Sequence, residues 1–281
     1  MKQKRAVVIN DISCMGKCSL TVALPIISSL GIETVVLPTA VLSAHTAFEG
    51  FTFCDLTDQI APITEHWYGR GEKFQCIYSG YLGSVRQIKL VEDFIDKFKG
   101  EDTVVIVDPV LGDNGALYKN FTDDFPALMR KLCAKADIIT PNLTEAALML
   151  QREYVSEGYT EQYIKDILKE LASFGAKKVI LTGITYDKKR LGVACFDSVS
   201  GEYSYHAQEC ISSMFHGTGD VWASSFVAAY VKGFDFAKAA DIATEFTVEC
   251  IKATLADKDE HWYGVRFETC LADFCAKYAK V

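Results

Sequence analysis

Short apolar runs alternate along the chain with longer segments of helical periodicity. Six runs rich in β-branched residues predict buried strands, at 5–10, 34–37, 75–79, 103–107, 137–140 and 178–182. Apolar positions three or four residues apart predict helices, at 19–30, 55–67, 85–98, 123–134, 160–174 and 236–255. Strands that alternate with helices predict an α/β fold, a three-layer α/β/α sandwich around a central, mostly parallel sheet.

Two segments depart from this alternation. Residues 191–196 and 202–206 flank a turn at Ser198–Gly201 and predict an antiparallel hairpin. Pro38 is expected to end the second strand, and residues 39–53 to form a functional loop. The chain has 281 residues and lacks a Pro/Ser-rich linker, so we expect one domain spanning 1–281.

A glycine-rich turn precedes a further predicted helix. Gly217, Thr218, Gly219 and Asp220 run directly into an apolar segment. Glycines let an anion approach the backbone, and the first N–H groups of a helix have no partner inside it. Asp220 stands at the same place and could accept a proton. An ordinary helix start, capped by Thr218 or Asp220, is the plainer interpretation of this turn alone.

Further polar residues, and one glycine, follow the predicted strands. They are Asp11, Tyr81, Asp108, Asp113, Asn142, Glu145, Thr182 and Gly183. Ligands of open parallel sheets bind beyond the carboxyl ends of the strands, so we expect these residues near a site. The carboxylate and amide oxygens of Asp108, Asp113, Asn142 and Glu145 are ligands that Mg²⁺ prefers, directly or through water. A phosphate cradle beside a base and a cation site indicates phosphoryl transfer, although the P-loop motif is absent.

Composition narrows the classes of binding partner and the kinds of cysteine site that we expect. The formal net charge of −8 argues against nucleic acid or an anionic membrane as a partner. Ten cysteines without C-x-x-C spacing predict neither a disulfide framework nor a zinc site. The apolar run after the basic N-terminus stops at Asn10, too early for a signal peptide, so we expect a cytoplasmic protein. The pentapeptide Glu-His-Trp-Tyr-Gly occurs at 65–69 and 260–264, which we interpret as coincidence.

Five motifs together resemble the vitamin B6 (pyridoxal) kinases of the ribokinase-like superfamily. They are Ser-Ala-His-Thr at 43–46, Ser-Gly-Tyr-Leu-Gly-Ser at 79–84, Val-Asp-Pro-Val-Leu-Gly-Asp at 107–113, Ile-Ile-Thr-Pro-Asn-Leu-Thr-Glu at 138–145 and Gly-Thr-Gly-Asp at 217–220. They occur in that family's order and cover nearly the whole chain. Gly-Thr-Gly-Asp alone marks only the superfamily, whereas the other motifs together are more specific.

The resemblance implies ATP-dependent phosphorylation of the 5′-hydroxymethyl group of pyridoxal, pyridoxamine or pyridoxine. It makes Asp220 the base and Gly217, Thr218 and Gly219 the anion hole. It implies Mg²⁺ at Asp108, Asp113 and Glu145, and it leaves room for a monovalent cation. The implied ATP site comprises those three residues with Asn142, Thr182, Gly183 and Thr218. The implied substrate site comprises Asp11, His45, Thr46, Tyr81 and Asp220. A homodimer is also implied.

Two positions depart from the family pattern. Asp11 stands where relatives often have Ser, which resembles the hydroxymethylpyrimidine kinases and motivates the hypothesis that pyridoxamine is preferred over pyridoxal. His216 stands where some relatives have Cys. A hydroxymethylpyrimidine kinase and a sugar or nucleoside kinase of the same superfamily are the alternatives among enzymes. The lack of an Asp-x-x-x-Gly-Gly motif near the N-terminus disfavours the sugar kinases. A ligand-binding relative without catalysis is a third alternative, against which the intact Asp220 and glycine turn argue.

Overall fold

The computed structural model describes residues 3–211, 215–257 and 262–280. The strands are β1 Arg5–Ser13, β2 Glu33–Leu42, β3 Phe53–Asp55, β4 Cys76–Ser79, β5 Val104–Val107, β6 Gly112–Asp113, β7 Ala116–Leu117, β8 Ile138–Ile139, β9 Lys178–Ile184, β10 Arg190–Asp197 and β11 Tyr203–Glu209. The helices are α1 Leu20–Ser29, α2 Thr57–Gly69, α3 Val85–Phe98, α4 Phe125–Cys133, α5 Leu143–Leu150, α6 Glu161–Ala172, α7 Thr218–Lys232, α8 Phe236–Leu255 and α9 Leu271–Tyr278, with a 3₁₀ turn at Phe267–Thr269.

The chain divides into two compact units, one formed by Met1–Cys76 with Ile211–Val281 and the other by Ile77–Cys210. The first, which we call the outer unit because it contains both chain ends, has β1 parallel to β2 and β3 antiparallel to β2. Its helix α7 is buried along Val221–Ala229 and packs against α1 and α8. A helix buried on all sides lacks a charged face, and α7 has no charged residue between Val221 and Val231.

The second, which we call the inner unit, has its strands in the order β11-β10-β9-β8-β5-β4. The pairs β5–β8 and β8–β9 are parallel, and β9, β10 and β11 are antiparallel neighbours. Helix α3 shows why these segments fold as predicted. Ser84 caps it by accepting the N–H of Gln87, and Ile88, Val91 and Ile95 recur on its buried face.

The predicted α/β class with a central, mostly parallel sheet is confirmed, as is the hairpin at β10 and β11. The limits of α3 and α8 are those predicted. Among the helices of the described residues, none is both long and apolar enough for a bilayer span.

The prediction was wrong at the second strand, which does not end at Pro38. β2 runs on to Leu42, and two of its residues, Thr39 and Ala40, stand opposite the single residue Asp11 of β1. This irregularity follows Pro38, whose missing N–H interrupts the regular ladder. Asp11 consequently lies inside β1 at a bulge rather than in the loop after it. Such bulges aim side chains differently from the rest of a strand.

Candidate active site

The glycine-rich turn opens α7 in the outer unit. Gly217 is the N-cap of the helix at φ 75°, and no side chain caps this end within the described residues. The Thr218 hydroxyl donates instead to the carbonyl of Phe215, at 3.2 Å. The N–H groups of the first turn therefore have no partner within α7 and carry the positive end of the helix dipole. The plainer interpretation, a start capped by Thr218 or Asp220, does not describe this turn.

The two glycine positions of the turn differ in why glycine occupies them. A Cβ on Gly217 would collide with the carbonyl oxygen of Lys17, and its positive φ also favours glycine. Gly219 has an ordinary backbone, and a Cβ there would have no described neighbour within 4 Å. The chain's own packing therefore requires Gly217 but leaves Gly219 unexplained. An exposed glycine in a helical first turn leaves room for a ligand to reach the backbone.

The carboxylate of Asp220 lies half-buried in the same first turn. Burial raises its pKa to about 7, the N–H of Ser19 opposes that shift, and the negative charge of Asp11 adds to it. A carboxylate with a pKa near 7 is well matched to accept a proton at neutral pH. Asp220 thus has the basicity that a general base requires, and its role in catalysis stays a prediction.

Asp11 lies close enough to Asp220 to influence its charge. Its side chain is 5% exposed, and both oxygens accept hydroxyl hydrogen bonds, Oδ1 from Ser19 at 2.7 Å and Oδ2 from Ser13 at 3.1 Å. Burial raises the pKa of Asp11, while the two serines oppose the shift. These bonds leave lone pairs on each oxygen, so a role toward substrate stays a prediction.

The imidazole of His45 has both nitrogens engaged. Nδ1 accepts the N–H of Ala47 at 3.1 Å, so Nε2 carries the proton and donates to the carbonyl of Tyr263 at 3.2 Å. Burial and the neighbouring His216 lower the pKa of His45. A neutral ring with both nitrogens engaged can offer a ligand its face or edge. Thr46 follows it in the chain and is exposed.

An aromatic cluster surrounds His45, and sequence reasoning missed its C-terminal members. The ring centroid of Phe48 lies 5.0 Å from that of His45, 4.6 Å from that of Trp262 and 5.8 Å from that of Tyr263. The pentapeptide at 260–264 contains Trp262 and Tyr263, but Glu260 and His261 lie outside the described residues. In the first copy of the pentapeptide, Trp67 packs against Phe74 instead, which agrees with coincidence.

In the inner unit, Asn142 and Glu145 form a capping box at the start of α5. Asn142 Oδ1 accepts the N–H of Glu145 at 2.9 Å, and Glu145 Oε2 accepts the N–H of Asn142 at 2.8 Å. Asn142 Nδ2 also donates to the carbonyl of Gly112 at 3.1 Å, and Glu145 Oε1 accepts the N–H of Leu111 at 3.1 Å. The predicted motifs 107–113 and 138–145 are thereby brought together.

Negative charge accumulates at this junction. Glu145 is 4% exposed, and burial together with the charges of Asp108 and Asp113 raises its pKa well above the usual range. Asp113 is exposed and accepts the N–H of Asn114 at 2.8 Å. In the part of the chain that the structure describes, no three His, Cys, Asp or Glu side chains converge as a metal site. The oxygen donors and their mutual repulsion nevertheless fit a cation that keeps most of its waters, as Mg²⁺ does.

Thr182 and Gly183 lie on β9 beside the capping box. The Thr182 N–H donates to the carbonyl of Pro141 at 2.9 Å, and Asn142 and Thr182 form a parallel bridge. Gly183 has φ 74°, is exposed, and has open space where a Cβ would lie. These features leave the backbone of Gly183 accessible to a ligand.

Tyr81 follows β4 in the inner unit. Its hydroxyl accepts the side-chain N–H of Asn120 at 2.7 Å, and its ring lies 5.7 Å from that of Phe121. Phe121 in turn stacks on Phe125 of α4 at 3.8 Å. The Tyr81 ring is therefore held in place, with part of its surface accessible.

The family model described as phosphomethylpyrimidine kinase matches residues 67–263, more than half of the chain. The chain belongs to this family. Its kinases share the ribokinase-like α/β fold, so the predicted assignment to that superfamily and to a kinase is confirmed.

Individual members of the family are similar over most of the chain. A proposed phosphomethylpyrimidine kinase of Bacteroides thetaiotaomicron VPI-5482, crystallised with pyridoxal, is 38% identical, with TM-score 0.92 over 97% of this chain and 96% of that one. Pyridoxal kinase of Lactobacillus plantarum is 28% identical, with TM-score 0.89 over 99% and 98%.

A proposed pyridoxal kinase of Caenorhabditis elegans is 30% identical over 155 residues. That match covers 54% of this chain, and the chain spans about half of that relative's length, 47%.

Within this kinase, each unit assembles its own set of predicted residues. The outer unit brings Asp11 and Asp220 together and joins His45 to His216. The inner unit joins Asn142 to Glu145, Gly112 and Thr182. The roles of these residues in binding and catalysis stay predictions.

Proposed function

We propose that this kinase transfers the γ-phosphoryl group of ATP to the 5′-hydroxymethyl group of vitamin B6 compounds, with Asp220 as the base. The observation that carries the proposal is the place of the Asp220 carboxylate in the first turn of α7, beside backbone N–H groups without helical partners. Burial raises the pKa of this carboxylate, which favours proton acceptance near neutral pH. The similarity to a protein crystallised with pyridoxal supports the substrate class.

In the proposed reaction, Asp220 takes the proton of the substrate hydroxyl as its oxygen forms a bond to the γ-phosphorus. The bond from that phosphorus to the bridging oxygen breaks, and ADP leaves with both electrons of the bond. The N–H groups of Thr218 and Gly219 stabilise the charge on the moving phosphoryl oxygens. The open space at Gly219 supports this role.

The remaining proposed roles follow the predicted sets. Asp108, Asp113 and Glu145 would hold Mg²⁺ directly or through water, and the ion would neutralise phosphate charge. Asn142, Thr182 and Gly183 contact the nucleotide. The proposed substrate contacts of the outer unit are the neutral ring of His45 and the hydroxyl of Thr46. The proposed substrate contact of the inner unit is the aromatic ring of Tyr81. A cytoplasmic homodimer and a monovalent cation remain predictions.

Two alternatives are decided by one assay. The similarity to a hydroxymethylpyrimidine/phosphomethylpyrimidine kinase of Aquifex aeolicus makes hydroxymethylpyrimidine a second candidate substrate. A binding protein without turnover is the third candidate. ADP release should be measured with Mg²⁺–ATP and pyridoxal, pyridoxamine, pyridoxine or hydroxymethylpyrimidine, with mass spectrometry of the phosphate ester. Asp220→Ala removes the base, and Asp273→Ala is a matched control in the first turn of α9, another helix of the outer unit.

Turnover of B6 compounds that is lost only in Asp220→Ala supports the proposal. Turnover of hydroxymethylpyrimidine alone supports the second candidate, a hydroxymethylpyrimidine kinase. Ligand binding without ester formation supports the third candidate, a binding protein. The same panel measured on Asp11→Ser tests vitamer preference. An unchanged ratio of kcat/KM for pyridoxamine and pyridoxal would reject the hypothesis based on Asp11.

A further inference from the structure

Ser19 has an unusual backbone for a buried residue. It precedes α1 with φ 53° and ψ −134°, a conformation that glycine adopts readily and serine does not. Four non-glycine residues of the described ranges have positive φ, and the other three, Asn114, Gln151 and Lys188, are exposed. Ser19 is 7% exposed. Strain that persists at a buried position indicates that the surroundings hold it there.

Ser19 also forgoes the usual task of a serine at a helix N-cap. An N-cap serine normally accepts a backbone N–H of the first turn, but Ser19 makes no such side-chain bond. Its hydroxyl donates instead to Asp11 Oδ1 at 2.7 Å. Its carbonyl accepts the N–H groups of Val22 and Ala23 at 3.2 and 2.9 Å, which fixes the peptide at the start of α1.

The segment before Ser19 packs against the glycine turn. The carbonyl of Lys17 occupies the space where a Cβ of Gly217 would lie, and the Cα of Cys18 lies 3.5 Å from that position. Helices α1 and α7 also pack against each other behind these two starts. In this arrangement the backbone N–H of Ser19 is close enough to the Asp220 carboxylate to favour its charged form.

We propose that Ser19 is a positioning residue: Asp11 anchors its hydroxyl, and its strained backbone aims its N–H at Asp220 to hold the base toward the substrate hydroxyl. The proposal rests on the proposed function, because it presumes that Asp220 accepts the proton. Asp11 thereby gains a second role, as the buried anchor of the base. The strained backbone of Ser19 then directs its N–H at Asp220, and the bond to Asp11 explains why its hydroxyl does not cap α1.

The test compares Ser19→Ala and Ser19→Gly, which both lose the hydroxyl. Glycine retains access to φ 53°, whereas alanine favours negative φ and turns the N–H away from Asp220. We expect kcat with pyridoxal to fall about 10- to 100-fold in Ser19→Ala and less in Ser19→Gly. The KM for ATP should stay near the wild-type value. Ser28→Ala, which loses an exposed hydroxyl bonded to Thr34, is the matched control on α1.

The pH profile separates positioning from a merely structural role. Asp11 and Cys18 are the titratable groups that interact with Asp220, and the Cys18 thiol, with a pKa of about 12, stays neutral. Losing the Ser19 N–H should move the acid limb of kcat/KM about one pH unit higher. Asp11→Asn removes a negative charge and should move the limb lower.

Different results would overturn the positioning role of Ser19 and the role of Asp220 as the base. A folded Ser19→Ala enzyme whose acid limb and kcat match the wild type overturns the positioning role, provided that Asp220→Asn is inactive. An active Asp220→Asn enzyme overturns the base itself. If Ser19→Ala does not fold, Ser19→Gly decides: an unshifted limb and unchanged kcat reject the proposal, and an upward shift with reduced kcat supports it.

Discussion

At the scale of single residues, the fold requires glycine at position 217, whereas only the proposed function explains glycine at position 219. Only Gly217 meets the chain's own backbone, at the Lys17 carbonyl, whereas Gly219 faces open space. Sequence reasoning recognised both glycines but could not assign them different reasons. That difference depends on Lys17, which lies 200 positions from Gly217 in the chain.

The two alanine variants should therefore behave oppositely. Gly217→Ala is expected to lower the free energy of unfolding by about 2 kcal/mol or more, because the Cβ overlaps backbone and φ is positive. Gly219→Ala should keep or slightly raise stability, since alanine favours helix by up to about 1 kcal/mol, but lower kcat. Urea unfolding and steady-state kinetics on both variants check this. Full activity in Gly219→Ala would remove the argument for an anion hole there.

Asp220 carries a stability cost that depends on pH. Its pKa rises from 3.8 unfolded to about 7 folded, so the folded state binds the proton more tightly. The contribution of Asp220 to the free energy of unfolding is therefore fully present below about pH 4 and is lost as the pH rises through 7. Asp220→Asn should therefore be more stable than the wild type at pH 8, by at most about 4 kcal/mol, with the difference disappearing near pH 4. A constant difference between pH 4 and 8 would contradict the raised pKa.

At the scale of elements, helices with a strong periodic pattern were predictable, whereas three of the short strands were not. The segments of α3 and α8 have the predicted limits because caps and apolar spacing agree there. The three-residue strand β3 and the two-residue strands β6 and β7 were missed, since such pieces contain no measurable alternation. Helix α9 was also missed.

The candidate site was predictable where one chemical group defines it, as at Asp220. The bulge at Asp11, the anchor at Ser19 and the aromatic contacts of Trp262 were not. Each depends on which distant segment packs against the residue. The hairpin β6–β7 could have been found from its turn, Asn114-Gly115, because both residues have the positive φ that a two-residue turn requires.

The capping box at α5 offers a prediction about linked elements. Asn142→Ala should lose about 1 kcal/mol of stability through the cap, and also the bond to Gly112 that holds the 108–113 loop. Thr160→Ala removes the comparable cap of α6 without touching that loop. We expect similar losses in thermal stability but a raised KM for ATP in Asn142→Ala alone. Equal KM values in the two variants would exclude a nucleotide role for this junction.

At the scale of the whole molecule, the family assignment and the chemistry come from different evidence. The match to residues 67–263 and the similarity to pyridoxal kinases establish a kinase of this fold. The reaction is inferred from a base, a glycine turn and a carboxylate junction, each built within one unit. The acidic net charge of −8 is compatible with this chemistry, because backbone N–H groups and a cation hold the phosphates locally.

The most direct test of the central claim is the pH dependence of kcat/KM for pyridoxal in the wild type and in Asp220→Asn. We predict that the wild-type value rises with pH through an acid limb near 7, since the base must be ionised. Asp220→Asn should lose about 10²- to 10⁴-fold and show no such limb. Activity within about tenfold of the wild type in Asp220→Asn, with the limb retained, would contradict the assignment of Asp220 as the base.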